Sequence, residues 1–182
     1  MDGLSAPPHL VYKILEEGSF IDDKDVQKMW AGLLASSCTP DGKDESNLIY
    51  IDLLSKLTSS EVALVNYLFN HTKKGWEKDS LIYAYSIDID MNILQTISGF
   101  EDVHVQETDR IIRHLESLGL VTFTSVNDTS MANLDYDGSF SITLTPTTLC
   151  LNMYVKCQGS SGYPVEYWRE ELPPTPSLDG YF

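Results

Sequence analysis

Val105-Gln106-Glu107-Thr108-Asp109-Arg110-Ile111-Ile112-Arg113-His114-Leu115-Glu116-Ser117-Leu118 is followed by Gly119 and then by Leu120-Val121-Thr122-Phe123-Thr124-Ser125-Val126. Thr108, Ile111, Ile112, Leu115 and Leu118 recur at helical spacing, which predicts an amphipathic helix with one buried face. Gly119 supplies a left-handed stop, and Leu120 is placed to make the apolar contact that accompanies such a cap. Val121, Phe123 and Ser125 alternate with their neighbours, as do Phe140, Ile142 and Leu144 in the stretch 139–144, which predicts two strands of a hairpin. Asn127 to Gly138 between them is polar and contains Asp-Gly, the composition of a wing. Thr145-Pro146 then opens a last helix that runs to Cys157. Helix, hairpin, helix is the outline of a winged-helix unit.

That outline usually serves nucleic acid, and the charge opposes it. From Val105 to Cys157 the basic residues are Arg110, Arg113 and Lys156, against six acidic ones. A reading helix here would present Gln106, Glu107, Asp109, Arg110, Arg113 and His114, a face of mixed sign that offers few phosphate contacts. The whole chain carries a net charge of −15, spread along its length, which repels a polyanion at long range and favours solubility.

Upstream, the sequence predicts helices. Leu10, Val11, Ile14 and Leu15 follow Pro7-Pro8 at helical spacing and end at Gly18. Asp22 and Asp23 open a stronger helix whose Val26, Met29, Trp30, Leu33 and Leu34 form a core-facing stripe. After the turn-rich loop 39–44, a third helix is expected from about Asn47 to Leu57. Thr58-Ser59-Ser60-Glu61 is a capping box that starts a fourth, running to about His71, with Lys73 and Lys74 at its favoured basic end. Leu81 to Ile89 reads equally as strand or helix, and Met91 to Ile97 as a short helix.

Beyond Cys157 the texture changes. Gln158 to Gly162 reads as a linker, and Pro173-Pro174-Thr175-Pro176 lies in the final segment. Tyr163, Tyr167, Trp168, Tyr181 and Phe182 make this tail rich in aromatics, so part of it is expected to dock on the body or on another subunit. These five are the candidate partner contacts.

Candidate chemistry is sparse. The four histidines, His9, His71, His104 and His114, have no cysteine or histidine partners at metal-ligand spacing. No phosphate-binding glycine loop and no Gly-x-Ser-x-Gly elbow appears. Asp88-Ile89-Asp90 with Glu101-Asp102 fits no calcium loop and reads as a solvated acidic face. Cys38, Cys150 and Cys157 are too few and too oddly numbered for a disulfide framework, and Cys150 and Cys157 read as buried small hydrophobes in a reducing cytoplasm. Neither a signal peptide nor a membrane-spanning run is expected, and no enzyme activity, cofactor or metal.

The segment 22–37, with its Trp30-Ala31-Gly32-Leu33-Leu34-Ala35-Ser36, resembles the acidic "LWA-x-LLA-S" helix of the abortive infection alpha family of bacterial proteins. Residues 47–58 are similar to the family's next helix and its "LS-x-x-E" start, and 115–121 to its "L-x-x-LGLI" segment. Leu144-Thr145-Pro146 with Leu149 and Cys157 resembles its closing motif, although Thr147-Thr148 stands where the family has Leu-Gly. The resemblance covers about residues 8–157 and implies a bacterial or prophage protein of phage defence, with no catalytic residues to carry over.

The expected fold is mainly α with a small antiparallel β-hairpin. It comprises an N-terminal helical region (1–57), a winged-helix-like unit packed on it (58–157), and an acidic, aromatic tail (158–182). The expected function is a non-enzymatic, protein-interaction role in the cytoplasm, with an unknown protein partner and a homo-oligomer as an open alternative. Two rival readings are a winged-helix DNA-binding regulator contacting DNA through Arg110 and Arg113, and an acidic inhibitor that mimics nucleic acid.

Overall fold

The structure is a computed structural model that describes residues 3–76, 81–99, 105–128 and 140–174. Within them lie eight helices and two small antiparallel sheets, a mixed α/β fold with more strand than one hairpin.

Helices α1 (Pro8–Gly18), α2 (Lys24–Ser36) and α3 (Leu48–Leu54) form the N-terminal layer. The stripe read from the sequence is the buried face of α2: Val26, Met29, Trp30 and Leu33 are all in the core. Asp23 starts this helix by accepting from the backbone N–H groups of Asp25 and Val26. Its other end is tied to α3 through Asn47, whose side-chain amide donates to Ser36 Oγ at 3.0 Å and Ser37 Oγ at 2.8 Å. All three residues are buried, so the two serines serve a polar link inside the core. The third helix stops at Leu54, three residues before the expected Leu57.

Helix α4 (Ser59–His71) begins at the predicted capping box, with Thr58 as the cap and Glu61 reciprocating. Lys74 does not continue it. It lies in strand β1 (Lys74–Trp76), which pairs with β2 (Ile82–Ala84). Its ammonium nevertheless returns to donate to the Phe69 carbonyl at 2.8 Å, so the basic group does meet the helix's negative end. The ambiguous stretch 81–89 divides into two strands in two different sheets, with Tyr85 and Ser86 between them.

Strand β3 (Ile87–Asp90) leads into α5 (Met91–Ser98), capped by Asp90, and then comes α6 (Val105–Ser117). Gly119, at φ +70°, ends α6. Leu120 N–H donates to the Leu115 carbonyl and Gly119 N–H to that of Glu116, the two bonds of a Schellman cap. Strands β4 (Val121–Asp128) and β5 (Phe140–Pro146) complete a three-stranded sheet of order β3-β5-β4, with an irregularity between Phe123 and Ser125. Of the expected wing, Asn127 and Asp128 belong to β4, and 129–138 lie outside the described residues.

The last long helix, α7 (Thr148–Cys157), starts later than Thr145-Pro146 implied. Those two residues extend β5 opposite Thr122 and Val121. Thr147 is the cap: it accepts from Cys150 N–H and also donates to the Gly119 carbonyl at 2.6 Å, joining the start of α7 to the end of α6.

Helix α7 runs through the centre, with Cys150, Leu151, Met153, Val155 and Cys157 buried. It packs against α2 at very short range. A Cβ at Gly32 would lie 1.9 Å from the Cys157 carbonyl oxygen and 3.0 Å from Gly159 N, so only glycine fits. The expected linker 158–162 is an ordered turn, in which Lys156 Nζ donates to the Ser161 carbonyl at 2.7 Å. One contiguous core joins residues from α1 to α7 with Trp168. No described helix is long and apolar enough to cross a membrane.

Candidate functional site

The two sets of candidate residues occupy different environments. Arg110 and Arg113 stand on the exposed face of α6, and neither guanidinium is without a carboxylate. Arg110 Nε donates to Glu107 at 2.8 Å, and Arg113 pairs with Glu116 at 2.9 Å and Asp109 at 3.4 Å. All are three or four residues apart, as the helix pitch requires. Hydrogen bonding to Glu107 and to Glu116 holds both arginines above their ordinary pKa, so they stay charged but engaged. Arg113 also lies over the Phe123 ring, 4.9 Å from its centroid.

His114 belongs to a different face from the one sequence spacing suggested. Its Nδ1 is 2.6 Å from Glu61 Oε1, and Glu61 is fully buried. The other oxygen of that carboxylate accepts from Thr58 N–H at 2.7 Å and Thr58 Oγ1 at 3.0 Å. The capping box of α4 thus has a spare oxygen, and α6 fills it with a histidine. A capping glutamate buried beside another helix needs such a second donor, but the burial that demands it comes from the packing of α4 on α6, 53 residues apart in the chain.

The tail candidates divide as well. Trp168 is only 3% exposed, so it belongs to the protein's own core and is not a surface for a partner. It follows the one-turn helix α8 (Pro164–Tyr167) and stacks on Phe69 of α4 at 5.5 Å and Tyr154 of α7 at 6.0 Å. Lys74 Nζ sits 5.1 Å from its centroid and pairs with Glu171 at 2.9 Å. Trp76 donates its indole N–H to the Pro173 carbonyl at 2.7 Å. The segment 164–174 is therefore docked on the body of the same chain through Trp168, Glu171 and Pro173. Burial, with Tyr167 and Glu171 nearby, pushes the Tyr154 hydroxyl up to about 12. Tyr163, 78% exposed, and Tyr167 remain on the surface, beside Glu166 and Glu170. Tyr181 and Phe182 lie outside the described residues.

Of the acidic cluster, Glu101 and Asp102 lie outside the described residues, as does His104, and Asp88 and Asp90 have structural partners. Asp88 accepts from Thr143 Oγ1 at 2.6 Å across the β3–β5 pair, and Asp90 caps α5. Burial pushes the Cys150 and Cys157 thiols well above the ordinary range, which keeps them protonated and poor nucleophiles.

Two segments that carried the family likeness, the α2 helix with its Trp30 and the capped Leu115–Val121 turn, are thus core and cap of one fold. The model of the abortive infection alpha family matches residues 2–144. The chain belongs to this family. Comparison with curated proteins and with solved structures found no match. The family match runs from the N-terminal segment to Leu144 in β5, which is wider at the start and shorter at the end than the likeness read from the motifs. The Thr145-Pro146 to Cys157 segment and the docked tail lie beyond the matched residues. Of the Trp168 seat, Phe69 and Lys74 are inside the match, and Tyr154 and Trp168 outside it.

Proposed function

We propose that this abortive infection alpha protein acts in bacterial or prophage phage defence as a non-enzymatic component that works through protein contacts. In this reading residues 58–157, from α4 through α7, are a winged-helix-like unit used for packing. Its element order supports that: after α4 and the separate β1–β2 pair come a strand, two helices, a hairpin whose second strand lies centrally in the sheet, and a last helix.

The observation that carries the proposal is the state of the α6 arginines. A phosphate competing for Arg110 or Arg113 has to displace a carboxylate that the same helix supplies one turn away. It also meets Glu107, Asp109 and Glu116 at close range, within a chain of net charge −15. The exposed Tyr163 and Tyr167 beside an acidic rim suit a protein partner better, since tyrosine is enriched at such interfaces.

The test is a mobility-shift titration with duplex DNA at low salt, beside co-purification from a phage-infected bacterial host. The expected results are no shift, and a retained protein whose recovery falls when Tyr163 and Tyr167 become serine. A salt-sensitive shift abolished by R110A/R113A would replace this reading with the regulator. Nuclease, NTPase or hydrolase turnover lost on a single substitution would overturn the non-enzymatic assignment.

A further inference from the structure

Polar side chains from three helices meet at one place that no contact described so far explains. A hollow of about 210 Å³ lies between α2, α4 and α7. Helix α2 lines it with Asp25 and Lys28, α4 with Asn66 and Asn70, and α7 with Tyr154 and its capping residue Gln158. Members of each pair stand three or four positions apart, so each helix turns one side toward the hollow. Among the described residues, none of these six side chains has a hydrogen bond or an ion pair. Asp25 and Lys28 show this most clearly. On α6 the same spacing closes Glu107 onto Arg110 at 2.8 Å, and here it closes nothing.

Tyr154 separates this hollow from an ordinary wet notch. It is 8% exposed, and stacking on Phe69 and Trp168 fixes its ring. Its hydroxyl nevertheless has no partner among the described residues, where a buried phenol ordinarily finds one. Beside it the buried Met29 supplies an apolar wall. The lining carries one carboxylate, one ammonium, three carboxamides and a hydroxyl. That set has no net charge yet holds both signs, so its match is a zwitterion. A free α-amino acid carries its ammonium and carboxylate on one carbon, within reach of an aspartate and a lysine one helical turn apart. With both charges used there, its side chain meets only amides and a hydroxyl, which suit an uncharged polar group.

We propose that the α2–α4–α7 hollow binds a free amino acid with a short, uncharged polar side chain, such as asparagine. Asp25 takes its ammonium and Lys28 its carboxylate, while Asn66, Asn70, Gln158 and Tyr154 receive its side chain. Size agrees. A cavity of roughly 150 Å³ takes benzene, so one of about 210 Å³ takes roughly eight or nine non-hydrogen atoms. Asparagine matches that, and a hexose or a nucleoside exceeds it. Because three helices share the site, its ligand ties α7 to α2 and α4 and stabilises the fold in proportion to its saturation.

NMR titration of the isotope-labelled full chain with L-asparagine up to about 20 mM tests it, beside L-serine, L-leucine, L-glutamate and glucose. The expected result is a saturable shift of the Asn66, Asn70 and Gln158 side-chain amides, with a dissociation constant of about 1 mM or tighter. D25N and K28M should each weaken binding by about tenfold or more. Both positions are exposed, so the thermal transition of the free protein should barely move. Asparagine methyl ester lacks the carboxylate charge. It should bind the parent chain as weakly as asparagine binds K28M, and K28M should weaken it no further. The absence of a saturable shift with asparagine or serine overturns the proposal. So does binding that neither D25N nor K28M changes, or a preference for leucine, glutamate or glucose.

Discussion

Two places in this molecule combine a cation, a carboxylate and an aromatic ring. At the tail seat Lys74 lies over Trp168 and pairs with Glu171. On α6 Arg113 lies over Phe123 and pairs with Glu116. The distances are nearly the same: 5.1 and 4.9 Å to the rings, and 2.9 Å in both ion pairs. The surroundings are not. Lys74 and Trp168 are buried, whereas the Arg113 group is solvated. Identical geometry therefore holds a chain segment in one place and only decorates a helix in the other, because water screens the second set.

The largest expected effect that tests this contrast is Trp168→Ala. Removing a buried indole stacked on Phe69 and Tyr154 should destabilise the fold by about 3–5 kcal/mol, measured by urea unfolding. A change no greater than that of a surface variant would mean the tail is not part of the core. Next comes Lys74→Met, which keeps the bulk but removes the donor to the Phe69 carbonyl and the charge over the ring. About 1–3 kcal/mol should be lost, and protease cleavage within 164–174 should quicken.

The third effect is alkaline. Tyr154 titrates at an ordinary 10.0 when unfolded and near 12 when folded. Below about pH 10 both states hold the proton and its stabilising effect is complete. Between about pH 10 and pH 12 only the folded state holds it, so stability falls as pH rises. Tyr154→Phe should flatten that fall without abolishing it, since Tyr50 and Tyr167 are also raised by burial. A slope unchanged by the variant would remove Tyr154 from the account. The smallest effect is Arg113→Ala, for which unfolding should not move measurably in either low or high salt. A clear loss at low salt that salt erases would show α6 to be stabilised by its ion pairs after all.

What the sequence revealed was whatever depends on near neighbours. The α2 stripe, the Thr58–Glu61 box and the Gly119 stop each lie within a few residues, and each stands where its spacing put it. What it concealed was pairing over distance. Leu81–Ile89 was ambiguous because β2 and β3 take their partners from β1 and β5, and only those partners decide the conformation. Lys74 looked like a helix-end charge, since its carboxylate lies 97 residues away. Asn47 gave no sign of bridging Ser36 and Ser37. His114 sat between the buried and exposed stripes of its helix, and the neighbouring α4 decided which it joined.

The glycine at position 32 has a consequence for how the chain was assembled into a working whole. It lies in the helix that marks the family, yet what it accommodates is the Cys157 carbonyl, beyond the family match. A missing carbon in α2 thus acts as a mould for the end of α7. The turn at 158–162 starts from that point of contact, with Gly159 N also close to Gly32. An added methyl there would work as a wedge at a lever's fulcrum, small at α2 and magnified along the tail.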